Sequence, residues 1–261
     1  MAETIPYLQM LSVACRAEAR INDIPVARAH PGEQKTANVP IREYLMPGPN
    51  LVSLAARPGG EAFGGPESLM ARVAIFAEDD WLELDGGAGL AALNPQLTAQ
   101  TPVPLRAQAE FALTAEQAPG PGWAWAAAPR LDPTAQRGAL DGFVSHLAGL
   151  FATGDASGLL PYFRQRFAED TLAYPAVPAE ARVENFRQIF AAQPWQPVPF
   201  DPGQLVYRPA AGGRLVEAMT TRGLPALHTH AEDPDRPFDT PGYAELPVMI
   251  GILDGQFAVL R

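Results

Sequence analysis

Two histidines stand two residues apart in the run His228-Thr229-His230-Ala231-Glu232-Asp233. On a strand, side chains at i and i+2 share a face. Two imidazoles at this spacing could therefore ligate one metal ion, with a carboxylate from Glu232 or Asp233 completing a mononuclear site. The same run also reads as a strand end entering an acidic loop, where polar residues gather. We adopt that second reading: an outward-facing pair without a third fixed ligand, which holds no metal tightly and takes up added zinc weakly as protons compete for the imidazoles. His146 falls beside an apolar helical stripe, where it either looks into a pocket as a general base or marks the edge of the core. His146, His228 and His230 are thus the candidate ligand-binding residues, and no residue is assigned a catalytic or metal-ligating role.

Glu78, Asp79, Asp80, Glu83 and Asp85 form the densest acidic run, either a solvated loop or a docking surface for a basic partner. Trp81, Trp123 and Trp125 would suit a sugar-binding face if their indoles were exposed and coplanar. Cys15 is the single cysteine, so neither an intramolecular disulfide nor a thiolate zinc site is possible. Its place on the apolar parity of a strand predicts a packed thiol. Gly87-Ala88-Gly89-Leu90-Ala91-Ala92 matches a dinucleotide-type glycine spacing, but Pro95 stops the helix that must follow, which leaves a flexible loop. Gly154-Asp155-Ala156-Ser157-Gly158 lacks the serine placement of a nucleophile elbow and reads as a capped helix start.

The elements that must position these groups change character near Pro129. Before it, period-two alternation over 7–21 puts Leu11, Val13, Cys15, Ala17 and Ile21 on one buried face. Asn22-Asp23 turns the chain into a return strand at 24–27, and further strands are expected within 44–54 and at 69–76, 106–113 and 123–128. Short strands without helices predict an antiparallel β-sandwich over residues 1–130. After it, Leu140, Phe143, Val144, Leu147, Leu150 and Phe151 mark one helix face, and two more helices follow around Leu159–Phe167 and Val183–Phe190. Strands are then expected at 205–208, 215–220, 226–230, 247–253 and 257–260, the last two joined by the hairpin signal Asp254-Gly255. The fold class is α+β in two domains, with residues 131–261 carrying helices followed by an antiparallel sheet.

Net charge is −10. Residues 1–130 hold 9 basic against 14 acidic residues and residues 131–261 hold 10 against 15, so each half is near −5. Nucleic acid is an unsuitable partner, because binding it needs cations to displace phosphate counterions. Arg supplies every basic residue except Lys35, which with the Ala and Pro content fits a high-GC bacterial coding bias. The 28 prolines keep elements short. No run reaches the roughly 20 apolar residues of a membrane span, and the N-terminus lacks a leader pattern. The chain reads as cytoplasmic, or periplasmic where a leader has been removed.

The order helices then strands over 133–261, with the ending Leu246 to Arg261, resembles the nuclear-transport-factor-two-like (cystatin-like) cone. The resemblance implies helices packed on a strongly curved antiparallel sheet. Enzymes of that class use Asp, His or Tyr lining the cone, and no such motif matches here residue by residue. The segments Ile21–Val26 and Pro40–Leu51 look like the β-sandwich half of two-domain proteobacterial proteins, and that likeness implies no activity. The leading expectation is a non-catalytic binding protein without cofactors, an immunity or accessory factor engaging a protein partner with a basic surface. The alternatives are a small-molecule or enzymatic pocket using His146 and His228, and a carbohydrate-binding envelope protein.

Overall fold

The computed structural model describes residues 4–31, 33–78, 80–114, 117, 122–191, 195–233 and 239–261. The chain divides into two units, Met1–Pro119 and Gly120–Arg261, and the fold is α+β, with antiparallel sheets first and helices followed by a sheet after.

In the first unit the alternation over 7–21 is broken once. Ala14 takes a positive φ of 54° and separates β1 (Thr4–Val13) from β2 (Cys15–Ile21). Before the break Leu8, Met10 and Ser12 are buried, and after it Cys15, Ala17, Ala19 and Ile21 are. Leu11 and Val13 are therefore not on the buried face expected of them, because the left-handed residue exchanges the faces and moves the chain from one sheet to the other. Asn22 and Asp23 (φ 50° and 64°) make the predicted hairpin turn into β3 (Ile24–Ala29). There follow β4 (Gln34–Pro40), β5 (Gly48–Pro58), β6 (Ser68–Ala77), β7 (Ala88–Leu93) and β8 (Leu105–Leu113). The sheets run β4-β1-β6-β7 and β3-β2-β5-β8. Leu8, Met10 and Val73 from the first and Ala17, Val52 and Leu54 from the second close one core between them.

Two expectations fail here for local reasons. Of the run expected within 44–54, Tyr44 closes the 3-10 turn Arg42–Tyr44 and the strand starts only at Gly48. The glycine-rich stretch at 87–92 is no flexible loop: it enters β7, which pairs antiparallel with β6. Gly87 makes the entry at φ 66°, where a Cβ would lie 2.7 Å from the Ile75 carbonyl oxygen, so only glycine fits.

The second unit begins before residue 131. The segment expected as a strand at 123–128 is instead the helical turn α1 (Ala124–Ala127), with Trp123 and Trp125 buried. Its Ala124 N–H donates to the Glu169 carboxylate at 2.6 Å, and Arg214 donates to the Ala128 carbonyl. The helices α2 (Arg137–Ala152), α3 (Ala156–Ala173) and α4 (Ala179–Ala191) follow the 3.6-residue spacing of their buried side chains. Asp155 caps α3, its Oδ1 accepting from Gly158 N–H at 2.8 Å. The sheet combines β9 (Leu205–Ala210), β10 (Leu215–Thr220), β13 (Met249–Leu253) and β14 (Gln256–Val259) in the order β14-β13-β10-β9, beside a two-stranded pair of β11 (Leu227–His228) and β12 (Glu245–Leu246). Leu147, Phe163 and Phe186 from the helices meet Val216, Ile250 and Val259 from the sheet.

Candidate functional site

The acidic run lies between β6 and β7, in a loop whose described residues, 78 and 80–87, have backbone groups tied to the sheet beneath them. Asp80 N–H donates to the Ala77 carbonyl at 3.0 Å and Gly86 N–H to that of Glu83 at 3.1 Å, while the Asp80 carboxylate accepts from Ala77 N–H at 2.8 Å. Two side chains of the sheet complete the anchoring. Gln9, fully buried in β1, donates through Nε2 to the carbonyls of Glu83 at 3.0 Å and Leu82 at 3.4 Å and to Asn38 Oδ1 at 3.1 Å. Arg72 of β6 donates to Gln9 Oε1 at 3.1 Å and to the Leu84 carbonyl at 3.0 Å. Backbone polar groups held this way do not require water, so the loop conformation is defined by the sheet.

On this platform Trp81 is 88 % exposed, and Glu78, Asp80, Glu83 and Asp85 are exposed on the same loop. Asp79 lies outside the described residues. Of the three indoles that a sugar-binding alternative would need, Trp81 is exposed, and it stands on the loop of the acidic run. Trp123 and Trp125 are 3 % and 2 % exposed and cannot share such a face. Gln9 and Arg72 carried no signal in the sequence, since the partners they hold lie 12 to 74 positions away.

The histidines separate. His146 is exposed on α2, with Nε2 2.8 Å from the Tyr162 hydroxyl of α3. His228 is buried, contrary to the outward-facing pair expected, because β11 pairs with β12 and Thr229 bridges to Pro197; His230 alone of the two is exposed. Burial lowers the His228 pKa from its ordinary value, against the opposing effects of its bond to the Pro225 carbonyl and the charge of Glu245. His228 and His230 line one cavity, and His146 is not part of it. Among the described residues no three His, Cys, Asp or Glu side chains are grouped to hold a metal ion. Cys15 is buried, and burial, followed by the charge of Glu67, pushes its thiol up to about 11. No helix among the described residues is long and apolar enough to cross a membrane.

Comparison with protein-family models, curated proteins and solved structures finds no match to this chain.

Proposed function

We propose that the chain is a non-catalytic binding protein whose first unit engages a protein partner with exposed basic side chains through the 78–87 loop. The observation that carries the reading is Trp81, an 88 % exposed indole on a loop fixed by Gln9 and Arg72. A tryptophan side chain of roughly 200 Å² transfers from water with about 25 cal/mol per Å², so covering Trp81 is worth roughly 4 kcal/mol. A loop already ordered loses little further freedom on binding. The surrounding carboxylates favour guanidinium or ammonium groups, which can stack on the indole while pairing with the acids. They also speed encounter with a positively charged surface.

Immobilised protein should retain such a partner from extracts of the cells that produce it, and Trp81→Ala should lose it. Retention should also weaken steeply between 0.1 and 1 M salt, as the screening length shrinks from roughly 10 to 3 Å. Equal retention by Trp81→Ala would remove the loop from the interface.

A further inference from the structure

The second unit contains a cavity of about 730 Å³ that the preceding reading leaves unused; its size lies within the range of small-molecule sites. Val198, Phe200, Leu205, Leu224 and Ala226 supply apolar walls. The polar groups divide by depth. Arg222, His230 and Glu232 are exposed and stand on the solvent side, whereas His228 is 9 % exposed.

Three of the other polar walls are already engaged. Thr220 Oγ1 donates to the Leu224 carbonyl at 3.3 Å, Gln204 Oε1 accepts from Thr221 at 2.8 Å, and Asp201 accepts from Gly203 N–H at 2.8 Å. His228 differs from them. Its Nδ1 lies 2.9 Å from the Pro225 carbonyl oxygen, and because a carbonyl only accepts, Nδ1 carries the proton. The neutral ring then offers Nε2 as an oriented acceptor, and among the described residues no hydrogen bond is made there. Burial favours this uncharged form.

We infer that the cavity binds a neutral, largely apolar hydroxyl compound, a phenol, whose O–H donates to His228 Nε2 while its ring packs on Phe200, Leu205 and Leu224. A carboxylate would set its negative charge against a lone pair, and a buried cation would meet only a neutral acceptor at that depth. A phenol is uncharged at pH 7, with a pKa near 10, and its single donor matches the buried acceptor that His228 presents. The site lies wholly in the second unit, so it stands or falls separately from the Trp81 loop.

Calorimetric titration of the full chain with 2-naphthol and with 2-methoxynaphthalene tests the assignment. The naphthol should bind at one site per chain, and the ether, which keeps the rings but has no donor, should bind about tenfold more weakly. His228→Phe should abolish that preference. Long-range nitrogen–proton spectra of the unaltered protein give a readout independent of any variant: naphthol should move the His228 Nε2 resonance and leave Nδ1 protonated. Equal affinity for the two compounds, no saturable binding of naphthol, or an unmoved His228 Nε2 would each overturn the inference.

Discussion

Replacing Gln9 by Met keeps the side-chain length and removes both hydrogen-bonding functions of the amide. Four bonds are lost: to Asn38, to the carbonyls of Leu82 and Glu83, and from Arg72. Each is worth about 1 kcal/mol net. Water can reach the two loop carbonyls once the loop loosens, whereas the space vacated at fully buried Gln9 stays apolar. The expected destabilisation is therefore about 2–3 kcal/mol rather than the full sum. For a unit of this size that lowers its melting temperature by roughly 6–15 °C. The change should be accompanied by faster hydrogen exchange at the amides of Asp80 and Gly86, whose bonds to Ala77 and Glu83 close the loop. Calorimetry and exchange measured by mass spectrometry report the two effects separately. A fall of less than about 2 °C with unchanged exchange in 78–87 would refute the claim that Gln9 holds this loop.

Three further outcomes follow from the same structure. Glu169→Ala removes the carboxylate that lies 2.6 Å from the Arg261 guanidinium, which is 1 % exposed, and orphans Ala124 N–H; denaturant unfolding of the second unit should lose about 3 kcal/mol, with Glu169→Gln losing less because it still accepts from Ala124. Cys15, buried with its thiol raised to about 11, should react with a disulfide reagent at pH 8 at least a hundredfold more slowly in the native protein than in denaturant, and comparable rates would contradict its packing. Because the folded state lowers the His228 pKa, the unfolded chain takes up a proton that the folded chain resists, so His228 leaves stability intact above its ordinary value near 6.5 and reduces it as the pH falls below that value; His228→Gln should flatten this part of the stability–pH curve, and an unaltered curve would count against it.

Local signals in the sequence were enough for most elements. Asn22-Asp23 and Asp254-Gly255 turn as their residue types demand, with positive φ at all four positions, and the spacing of Leu140, Val144, Leu147 and Phe151 places one face of α2 in the core. Features that depend on distant partners were not legible. β4 is built from Gln34, Lys35, Thr36 and Asn38, a polar edge strand ordered by its pairing with β1. The reversal at Ala14 is a single residue in a run whose alternation looks continuous. Trp123 and Trp125 read as strand residues until Glu169 and Arg214 are brought to the same segment. The acidic residues of the candidate loop were visible as a run, but the exposure of Trp81 and the support from Gln9 and Arg72 required the pairing of β1 with β6.

The most direct measurement of the central claim is photo-crosslinking in living cells, with p-benzoylphenylalanine placed at position 85, on the same loop as Trp81. Asp85 is exposed, so the substitution leaves the anchoring bonds of the loop in place. The account predicts a discrete crosslinked protein whose yield collapses when Trp81→Ala is combined with the probe, while the melting temperature of that variant stays within about 1 °C of the parent, as expected at an exposed site. An undiminished crosslink in the Trp81→Ala background, or crosslinking from a probe at exposed Val206 of the second unit with none from position 85, would contradict it.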